Sequence, residues 1–378
     1  MAGIYIHIPF CKQACYYCDF HFSTNNRFVS RMVNALRKEI DLRKDYFGRE
    51  PVETIYLGGG TPSMLSERDL SSVFDQLNRL FKIEDVSEIT IEANPDDLTK
   101  EKLIILRDLG INRLSIGIQS FNDEVLKFMN RAHDSSQAIK CLTLAHDHGF
   151  ENISIDLIYG IPQSSDAVWQ ADLKLAMQLA FPHISSYCLT IEEKTVFGKW
   201  VKTGKMQKAN EDYAARQFEM LMDTLEENDY EQYEISNFSL QGFRSQHNSN
   251  YWKQKKYLGI GPSAHSFDGT TRQFNIPNNA LYMKSIDQNH IPSTVEKLSL
   301  ADQTNEYLLT SLRTSWGCEL QKLKTDFGHD LIAKNKNYIH DLLEKRMIQI
   351  QDDQLTLTRQ GKLLADEITA NLFLVEEK

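Results

Sequence analysis

Three closely spaced cysteines near the N-terminus form the strongest chemical pattern in this 378-residue sequence. Cys11, Cys15 and Cys18 have the spacing C-x3-C-x2-C, whereas the other cysteines are isolated along the chain. Disulfides need thiols at separated positions in an oxidising compartment, so this clustering indicates a metal or redox site. A helix would also place the three residues on one face, as part of a core. Pro9 and Phe10 disfavour that helix because they end the predicted strand directly before the first cysteine.

Thiolates from a single loop favour an iron–sulfur cluster over a zinc ion. Structural zinc sites usually combine paired C-x2-C knuckles, and zinc here would need His7 or His21 as a fourth ligand. One loop can present three thiolates to three irons of a cubane cluster, and the missing fourth cysteine leaves one iron open to an outside ligand. The pattern therefore predicts a cubane cluster with one free coordination position.

Strands and helices alternate through the first half of the chain and must position this loop. Short β-branched or aromatic runs predict six strands, at Ile4–Ile8, Thr54–Leu57, Ile89–Ala93, Leu114–Ile118, Ile153–Ile158 and Ile184–Leu189. The patterns between them predict six helices, at Arg27–Lys44, Glu67–Phe81, Thr99–Leu109, Glu124–Met129, Ser136–His148 and Asp166–Leu179. Ser135 is the predicted N-cap of the fifth helix, and Gly149 the residue that follows its end. Six β-then-α units imply parallel pairing. We therefore expect an α/β fold with a partial (β/α)6 barrel, two units short of the full eight.

The second half of the chain predicts a separate C-terminal module. In chain order, the predicted elements are a helix at Asn210–Glu227, an irregular stretch from Gln232 to Asn279, a linker at Asn289–Val295, a helix at Ala301–Thr314, two shorter helices, a hairpin of Met347–Gln351 and Gln354–Leu357 with a turn at Asp352–Asp353, and a last helix. Helices with a terminal hairpin are typical of a winged-helix-like domain, here mostly helical. The predicted boundaries are 1–230 for the barrel, 231–295 for the irregular extension and 296–378 for the C-terminal domain. From Ala301 onward there are 10 basic and 13 acidic residues, which disfavours a DNA-binding wing.

Glycines and polar side chains gather where the predicted strands end. The residues concerned are Gly58-Gly59-Gly60-Thr61-Pro62 after strand two, Glu92 in strand three, Gln119 after strand four, Arg131 beyond the next short helix, and Asp156 in strand five. Glycines allow close backbone approach and can offer N–H groups to a carboxylate. Each polar residue alone is compatible with a structural role. Together, at one rim of the barrel, they predict a ligand site beside the open iron.

Composition and charge narrow the classes of partner. Hydrophobic residues make up 41% and charged residues 25% of the chain, which excludes a disordered or fibrous protein. The net charge of −10 disfavours a nucleic-acid partner. No apolar run is long enough for a transmembrane segment, and the N-terminus lacks the pattern of a secretory signal. We therefore expect a soluble, cytoplasmic protein.

In this order, the motifs resemble those of the radical S-adenosylmethionine (SAM) superfamily, and more narrowly of its oxygen-independent coproporphyrinogen III oxidase branch. The likeness is carried by the cysteine motif, the glycine run, Glu92-Ala93-Asn94-Pro95, the strand Tyr5-Ile6-His7-Ile8-Pro9-Phe10-Cys11 and the tail after Ala301. It covers nearly the whole chain. It implies a [4Fe–4S] cluster held by the three cysteines, with S-adenosylmethionine on the fourth iron. The positions that would contact S-adenosylmethionine are Tyr5, Tyr17, Gly59, Gly60, Thr61, Glu92, Gln119, Arg131 and Asp156.

Two departures from the oxidases point to the haem chaperone group of the same branch. The oxidases have an extension before the cluster loop and a fourth cysteine, whereas here ten residues precede Cys11 and Phe20 takes the place of that cysteine. The H-N-x-x-Y-W motif of the haem chaperone group is present from His247 to Trp252. The resemblance then implies a protein that binds haem and delivers it to respiratory acceptor proteins. Its cluster and S-adenosylmethionine would serve dimerisation, sensing or a transfer step, and a homodimer is one option for its assembly.

His247 is the haem ligand that this motif implies, because an imidazole is a common axial ligand of haem iron. Tyr251 and Trp252 would offer flat apolar surface to a porphyrin. The rival ligands are His7, His21 and His265. The alternative function is that of the oxidase itself, a radical enzyme that decarboxylates coproporphyrinogen III. RNA modification by a radical mechanism is disfavoured by the charge of −10.

Overall fold

All six strands predicted for the first half are present in the computed structural model, which describes residues 2–81, 83–208 and 210–375. The strands are β1 (Ala2–Ile8), β2 (Val52–Gly59), β3 (Glu88–Ala93), β4 (Arg113–Gln119), β5 (Asn152–Tyr159), β6 (His183–Cys188), β7 (Glu231–Glu234), β8 (Asn237–Ser239), β9 (Tyr257–Ile260), β10 (His265–Phe267), β11 (Thr271–Asn275), β12 (Ser293–Lys297), β13 (Cys318–Glu319), β14 (Ile348–Gln351) and β15 (Gln354–Leu357).

The predicted helices between the strands are present as well. The α-helices are α1 (Val29–Leu42), α2 (Glu67–Phe81), α3 (Lys100–Asp108), α4 (Asp123–Phe128), α5 (Ser135–Asp147), α6 (Asp166–Leu179), α7 (Val196–Lys202), α8 (Glu211–Glu226), α9 (Gln246–Trp252), α10 (Asn279–Asp287), α11 (Leu300–Leu312), α12 (Leu320–Phe327), α13 (Leu331–Lys334), α14 (Lys336–Glu344), α15 (Arg359–Lys362) and α16 (Ala365–Asn371). Single 3-10 turns lie at Asn26–Phe28, Pro62–Met64, Ile83–Asp85 and Pro95–Asp97.

A twelve-stranded sheet, in the order β12-β11-β10-β9-β1-β2-β3-β4-β5-β6-β8-β7, forms the body of the fold. Strands β1 to β6 pair in parallel in chain order, as the alternation of strands and helices predicts. Strand β9 pairs in parallel with the other side of β1, which makes it a seventh parallel strand that the sequence did not indicate. The strand that leads into the cysteine loop is therefore held on both sides.

The two faces of β1 show how one strand serves both the core and the site. Ile4, Ile6 and Ile8 are buried on the face that packs against the helices. Tyr5 and His7 lie on the opposite face, because successive side chains of a strand alternate. There Tyr5 stacks beside Tyr56 of β2, at 6.1 Å between ring centroids. The inner face of the barrel is thus polar and aromatic rather than aliphatic.

The prediction that the stretch from Gln232 to Asn279 is irregular is wrong. It contains β7 to β11 and α9, and α10 begins at its last residue. These strands have three to five residues each, too few for a clear alternation of apolar and polar side chains. The linker predicted at Asn289–Val295 is wrong in its second half, where β12 begins. Its residues are mostly exposed, so they carry no apolar pattern.

The fifth helix begins one residue earlier than predicted. Asp134, rather than Ser135, is its N-cap, since the Asp134 carboxylate accepts a hydrogen bond from the Gln137 N–H at 2.8 Å. The Gln137 side chain in turn accepts one from the Asp134 N–H, which completes a capping box. Gly149 has φ +82° after the end of the helix, as predicted.

The C-terminal residues have a hydrophobic core of their own, which includes Leu308, Leu323 and Leu355. The predicted hairpin is confirmed as β14 and β15, and β13 joins it in a three-stranded sheet. Both turn residues, Asp352 and Asp353, have positive φ, as a tight two-residue hairpin turn requires. Helices around a small sheet agree with the predicted winged-helix-like fold, whereas the domain boundaries stay predictions.

Candidate functional site

A cavity of about 510 Å³ opens at the C-terminal ends of the parallel strands. The predicted site residues that line it are Cys11, Cys15, Tyr17, Cys18, Gly59, Gly60, Thr61, Glu92, Gln119, Arg131 and Asp156. Two predicted residues, Tyr5 and His247, do not line it. The structure thus brings the cysteines, the glycine run and the polar strand ends together in one place.

The cysteine loop contains a single turn, closed by a hydrogen bond from the Cys18 N–H to the Cys15 carbonyl, and no helix, which removes the alternative of three core cysteines on one helix face. Its base is closed by two backbone hydrogen bonds, from Cys11 N–H to the Ser23 carbonyl and from Ser23 N–H to the Pro9 carbonyl. The three thiols are partly exposed toward the cavity. Burial raises the pKa of the Cys11 thiol to about 11 and that of Cys18 to about 12. Without a metal these thiols are therefore protonated, and loading would release protons.

The donor set suits a cluster better than a single ion. Within residues 2–81, 83–208 and 210–375, no group of three His, Cys, Asp or Glu side chains is arranged to hold a metal ion. In a cubane each thiolate binds a different iron, so the sulfurs need to surround a volume rather than meet at a point. Three thiols spread along one loop beside a cavity fit that requirement.

Arg131 connects the cysteine loop to the strand ends. Its Nη1 lies 3.4 Å from the Cys15 Sγ, and its Nη2 donates hydrogen bonds to the Gly117 carbonyl at 2.6 Å and to the Asn94 Oδ1 at 2.7 Å. The Asn94 amide donates to Thr61 Oγ1, and Thr61 Oγ1 lies 3.4 Å from the Cys11 Sγ. The sequence places Asn94 in the motif Glu92-Ala93-Asn94-Pro95 but does not indicate a role for it. The structure makes it the link between two residues that touch the sulfurs.

The glycine run starts in the last residues of β2 and passes close to the backbone that leads into the cysteine loop. The Gly60 N–H donates to the Ile8 carbonyl at 2.8 Å, and a Cβ at Gly60 would lie 2.4 Å from the Phe10 carbonyl oxygen. The close approach of the two backbones is what requires glycine here. Gly59 has φ +106°, and its N–H donates to the Glu92 carboxylate at 3.0 Å. Tyr56, which the sequence did not indicate, donates to the same carboxylate at 2.9 Å.

Glu92 and Asp156 place two carboxylates in the cavity wall. Burial raises the pKa of Glu92. Burial, with the nearby charge of Glu92, raises the pKa of Asp156 to about 7. Ser115 donates to Asp156 at 3.2 Å. Burial disfavours the ionised form of both carboxylates, and at Asp156 the charge of Glu92 adds to this, so a nearby cationic ligand would stabilise the ionised forms.

Gln119 has a backbone conformation that is rare for a residue with a side chain. Its φ is +70°, and a bulge in the pairing of β4 with β5 lies beside it. The next residues are tied to α6, because the Asp172 carboxylate accepts hydrogen bonds from Ser120 Oγ at 2.6 Å and from the Phe121 N–H at 2.9 Å. Asp172 therefore holds the loop that aims Gln119 at the cavity.

We expect the protonation of Asp172 to make the free energy of unfolding depend on pH. Burial raises the pKa of this carboxyl from 3.8 to about 6. A group whose pKa is raised by folding stabilises the fold below its unfolded pKa and loses that contribution as the pH rises through the folded pKa. The stability of the wild type should therefore fall relative to Asp172→Asn between about pH 4 and pH 6, with no further change above pH 7. Urea denaturation of both proteins across this range measures the difference. A difference independent of pH would contradict the raised pKa.

Tyr5 and His247 lie below the cavity, within the barrel. Tyr5 Oη is 3.1 Å from His7 Nδ1. The His247 ring is only 2% exposed, with Nδ1 at 2.8 Å from Thr54 Oγ1 and Nε2 at 2.9 Å from Tyr251 Oη. Burial lowers the pKa of His247 to about 3. In this conformation His247 is a packed, neutral side chain with both ring nitrogens in use, and its role as a haem ligand stays a prediction.

Comparison with known families agrees with this arrangement. The model of the radical SAM superfamily matches residues 5–176, and that of the HemN C-terminal domain matches residues 298–364. A Bacillus subtilis protein named heme chaperone HemW is 36% identical over 371 residues, which cover 97% of this chain and 98% of the relative. The chain belongs to the HemW family of radical SAM proteins.

Other HemW relatives and one solved structure are similar to the chain. HemW of Mycobacterium tuberculosis strain H37Rv is 31% identical over 98% of this chain and 94% of its own, and HemW of Escherichia coli K12 is 36% identical over 70% and 69%. The structure of the E. coli coproporphyrinogen III oxidase HemN matches with a TM-score of 0.86 at 22% identity, covering 98% of this chain and 90% of its own. At that identity the likeness supports the fold alone. In the described part of the chain, no helix combines the length and apolarity needed to span a membrane.

Proposed function

We propose that this HemW-family protein binds haem and passes it to acceptor proteins, while it holds a [4Fe–4S] cluster on Cys11, Cys15 and Cys18. The observation that carries the proposal is the match along almost the whole chain to a relative named as a heme chaperone. Respiratory proteins as acceptors, a cytoplasmic location and a homodimer are part of this proposal.

The cavity supports a place for S-adenosylmethionine next to the cluster. When bound, the cluster would supply an open iron for the amine and carboxylate of methionine and an electron for the sulfonium group. Gly59, Gly60 and Thr61, whose N–H groups are used within the chain, would line the place of the ligand, and Glu92 and Asp156 would face its cationic groups. Arg131 would hold the loop sulfurs in position from the opposite side. The function of these residues is to bind and orient.

Phe20 supports the chaperone over the oxidase. It stands where the oxidases have a fourth cysteine, its side chain is 74% exposed, and it lines the cavity beside Phe22. An exposed aromatic at the mouth of a polar cavity offers a contact for a flat apolar molecule. A thiol at that position would instead add a reactive group next to the cluster.

An anaerobic assay of the reconstituted full-length protein separates the two functions. With coproporphyrinogen III, S-adenosylmethionine and a reductant, we expect no protoporphyrinogen. With added haem, we expect a shifted Soret band and elution of haem with the protein in gel filtration. Stoichiometric decarboxylation would overturn the chaperone proposal, and so would haem that elutes apart from the protein.

A further inference from the structure

The four candidate haem ligands differ in whether a ring nitrogen is available. An axial imidazole needs one nitrogen free of other bonds and a path for the iron to reach it. Both ring nitrogens of His247 are in hydrogen-bond contact, and so are those of His7, with Tyr5 Oη and with the His21 carbonyl. Both side chains are buried. Neither can bind iron without leaving its place in the barrel.

The two remaining histidines are more accessible, but to different degrees. Nε2 of His21 lies 2.7 Å from the Asn279 Oδ1, so this nitrogen is in use. His265, at the start of β10, is exposed. Across residues 2–81, 83–208 and 210–375, no hydrogen bond to either of its ring nitrogens is found. By availability of the nitrogens, His265 is the best-placed ligand of the four.

The face of the sheet that carries His265 also offers what a porphyrin needs. His265 pairs with Phe274 of β11, and Phe267 pairs with Arg272, so these four side chains share one face. The rings of His265 and Phe274 are 5.7 Å apart, with 31° between their planes. An aromatic ring beside the ligating imidazole would contact the apolar porphyrin plane.

Arg272 adds a cation to this face. Its Nη1 pairs with Glu306 of α11 at 2.9 Å, and its Nε is buried without a hydrogen-bond partner among the described residues. The haem propionates are carboxylates, for which a guanidinium is the best-matched side chain. An exposed imidazole, an aromatic ring and a guanidinium therefore lie together on β10 and β11.

An aromatic row connects this face to the H-N-x-x-Y-W motif. Tyr251 of the motif packs edge-on against Tyr257 of β9, with ring centroids 4.5 Å apart, and Tyr257 lies 6.2 Å from Phe267. The opposite face of β11 is occupied by α1, since Arg43 donates to Gln273. Because Tyr257 is the in-register partner of Phe267, Tyr251 and Tyr257 adjoin the face that carries His265, and the motif supports that face from the side.

We propose that His265 supplies the axial imidazole to haem, on the face of β10 and β11 that carries Phe274 and Arg272. This assignment rests on the proposed function, because it names the ligand of the haem that the function requires. His247 then has a structural role, and its motif supports the haem-binding face through Tyr251.

Titration of the full-length protein with ferric haem under anaerobic conditions tests the assignment. We expect His265→Ala to lose the Soret position of an imidazole-ligated haem and to bind haem at least about tenfold more weakly, a difference of about 1.4 kcal/mol. Imidazole added to the variant should restore the Soret position. The matched control is His290→Ala, since His290 is another exposed histidine of the same extension and bonds only locally, to Ser285.

The outcomes separate this assignment from the proposed function. An unchanged spectrum and affinity for His265→Ala would overturn the assignment while leaving haem binding intact. The assignment would also be overturned if His247→Gln lost the imidazole-type spectrum while its circular dichroism matched that of the wild type. Failure of the wild type to bind haem at all would instead overturn the proposed function.

Discussion

Cys15→Ser should purify with at least about tenfold less iron and acid-labile sulfide than the wild type. The serine hydroxyl is a hard ligand that stays protonated at neutral pH, whereas iron–sulfur clusters require soft thiolates. Cys15 also faces Arg131, so the substitution would remove both the proposed ligand and the contact that orients this side of the loop. Iron and sulfide analysis after anaerobic reconstitution, with the visible absorption spectrum, measures the effect.

Cys188→Ser is the matched control for the cluster. Cys188 ends β6, is exposed and lines the same cavity, but it lies outside the cysteine loop. We expect this variant to retain its iron, because the three loop thiolates suffice for three irons. If Cys188→Ser lost the cluster as fully as Cys15→Ser, the cluster would depend on a fourth thiolate. The proposal that one iron is open to an outside ligand would then be wrong.

The largest loss of stability is expected from Glu39→Ala in α1. The Glu39 side chain is fully buried and pairs with Arg43 at 3.0 Å, one turn further along the helix. Its carboxylate also accepts hydrogen bonds from the Gly261 N–H and the Asn275 amide, both at 2.8 Å, and from the Tyr282 hydroxyl. Removal of one partner of a buried ion pair leaves an uncompensated charge and costs about 3–5 kcal/mol. Urea denaturation followed by circular dichroism would measure this loss.

Asp41→Ala provides a control on the same helix. Asp41 pairs with Arg79 at 3.1 Å, but both side chains are at least half exposed. Exposed ion pairs contribute roughly 0–1 kcal/mol, so this variant should unfold at nearly the urea concentration of the wild type. Equal effects of the two substitutions would mean that burial of the Glu39 network contributes nothing to stability.

The sequence was a good guide to the first half because both the strands and the site follow local rules. Each predicted strand begins and ends within two residues of an observed one, and the predicted helices Glu67–Phe81 and Asp166–Leu179 coincide with α2 and α6. The site residues gathered because the carboxyl ends of parallel strands meet at one rim. Cys11, Glu92 and Asp156 could therefore be grouped before any distance was known.

The parts that the sequence did not reveal depend on contacts between distant segments. No local pattern shows that Tyr257–Ile260 pairs with β1, or that Glu39 meets Tyr282. His247 shows the converse case, in which a motif is visible in the sequence but the contacts of its side chain are not. Its motif indicates importance, but only the packing against Thr54 and Tyr251 shows that its ring nitrogens are already in use.

The position of β9 beside β1 has a consequence for the order of events during synthesis. The N-terminal segment leaves the ribosome first, but its second neighbour in the sheet is Tyr257–Ile260. At typical translation speeds, roughly 10 to 50 seconds separate Cys18 from Ile260. During that interval β1, which leads into the cysteine loop, lacks one of its two neighbouring strands. Iron delivered to the nascent polypeptide would therefore reach the cysteine loop before its supporting sheet is complete, so we expect cluster assembly to follow the pairing of β9 with β1.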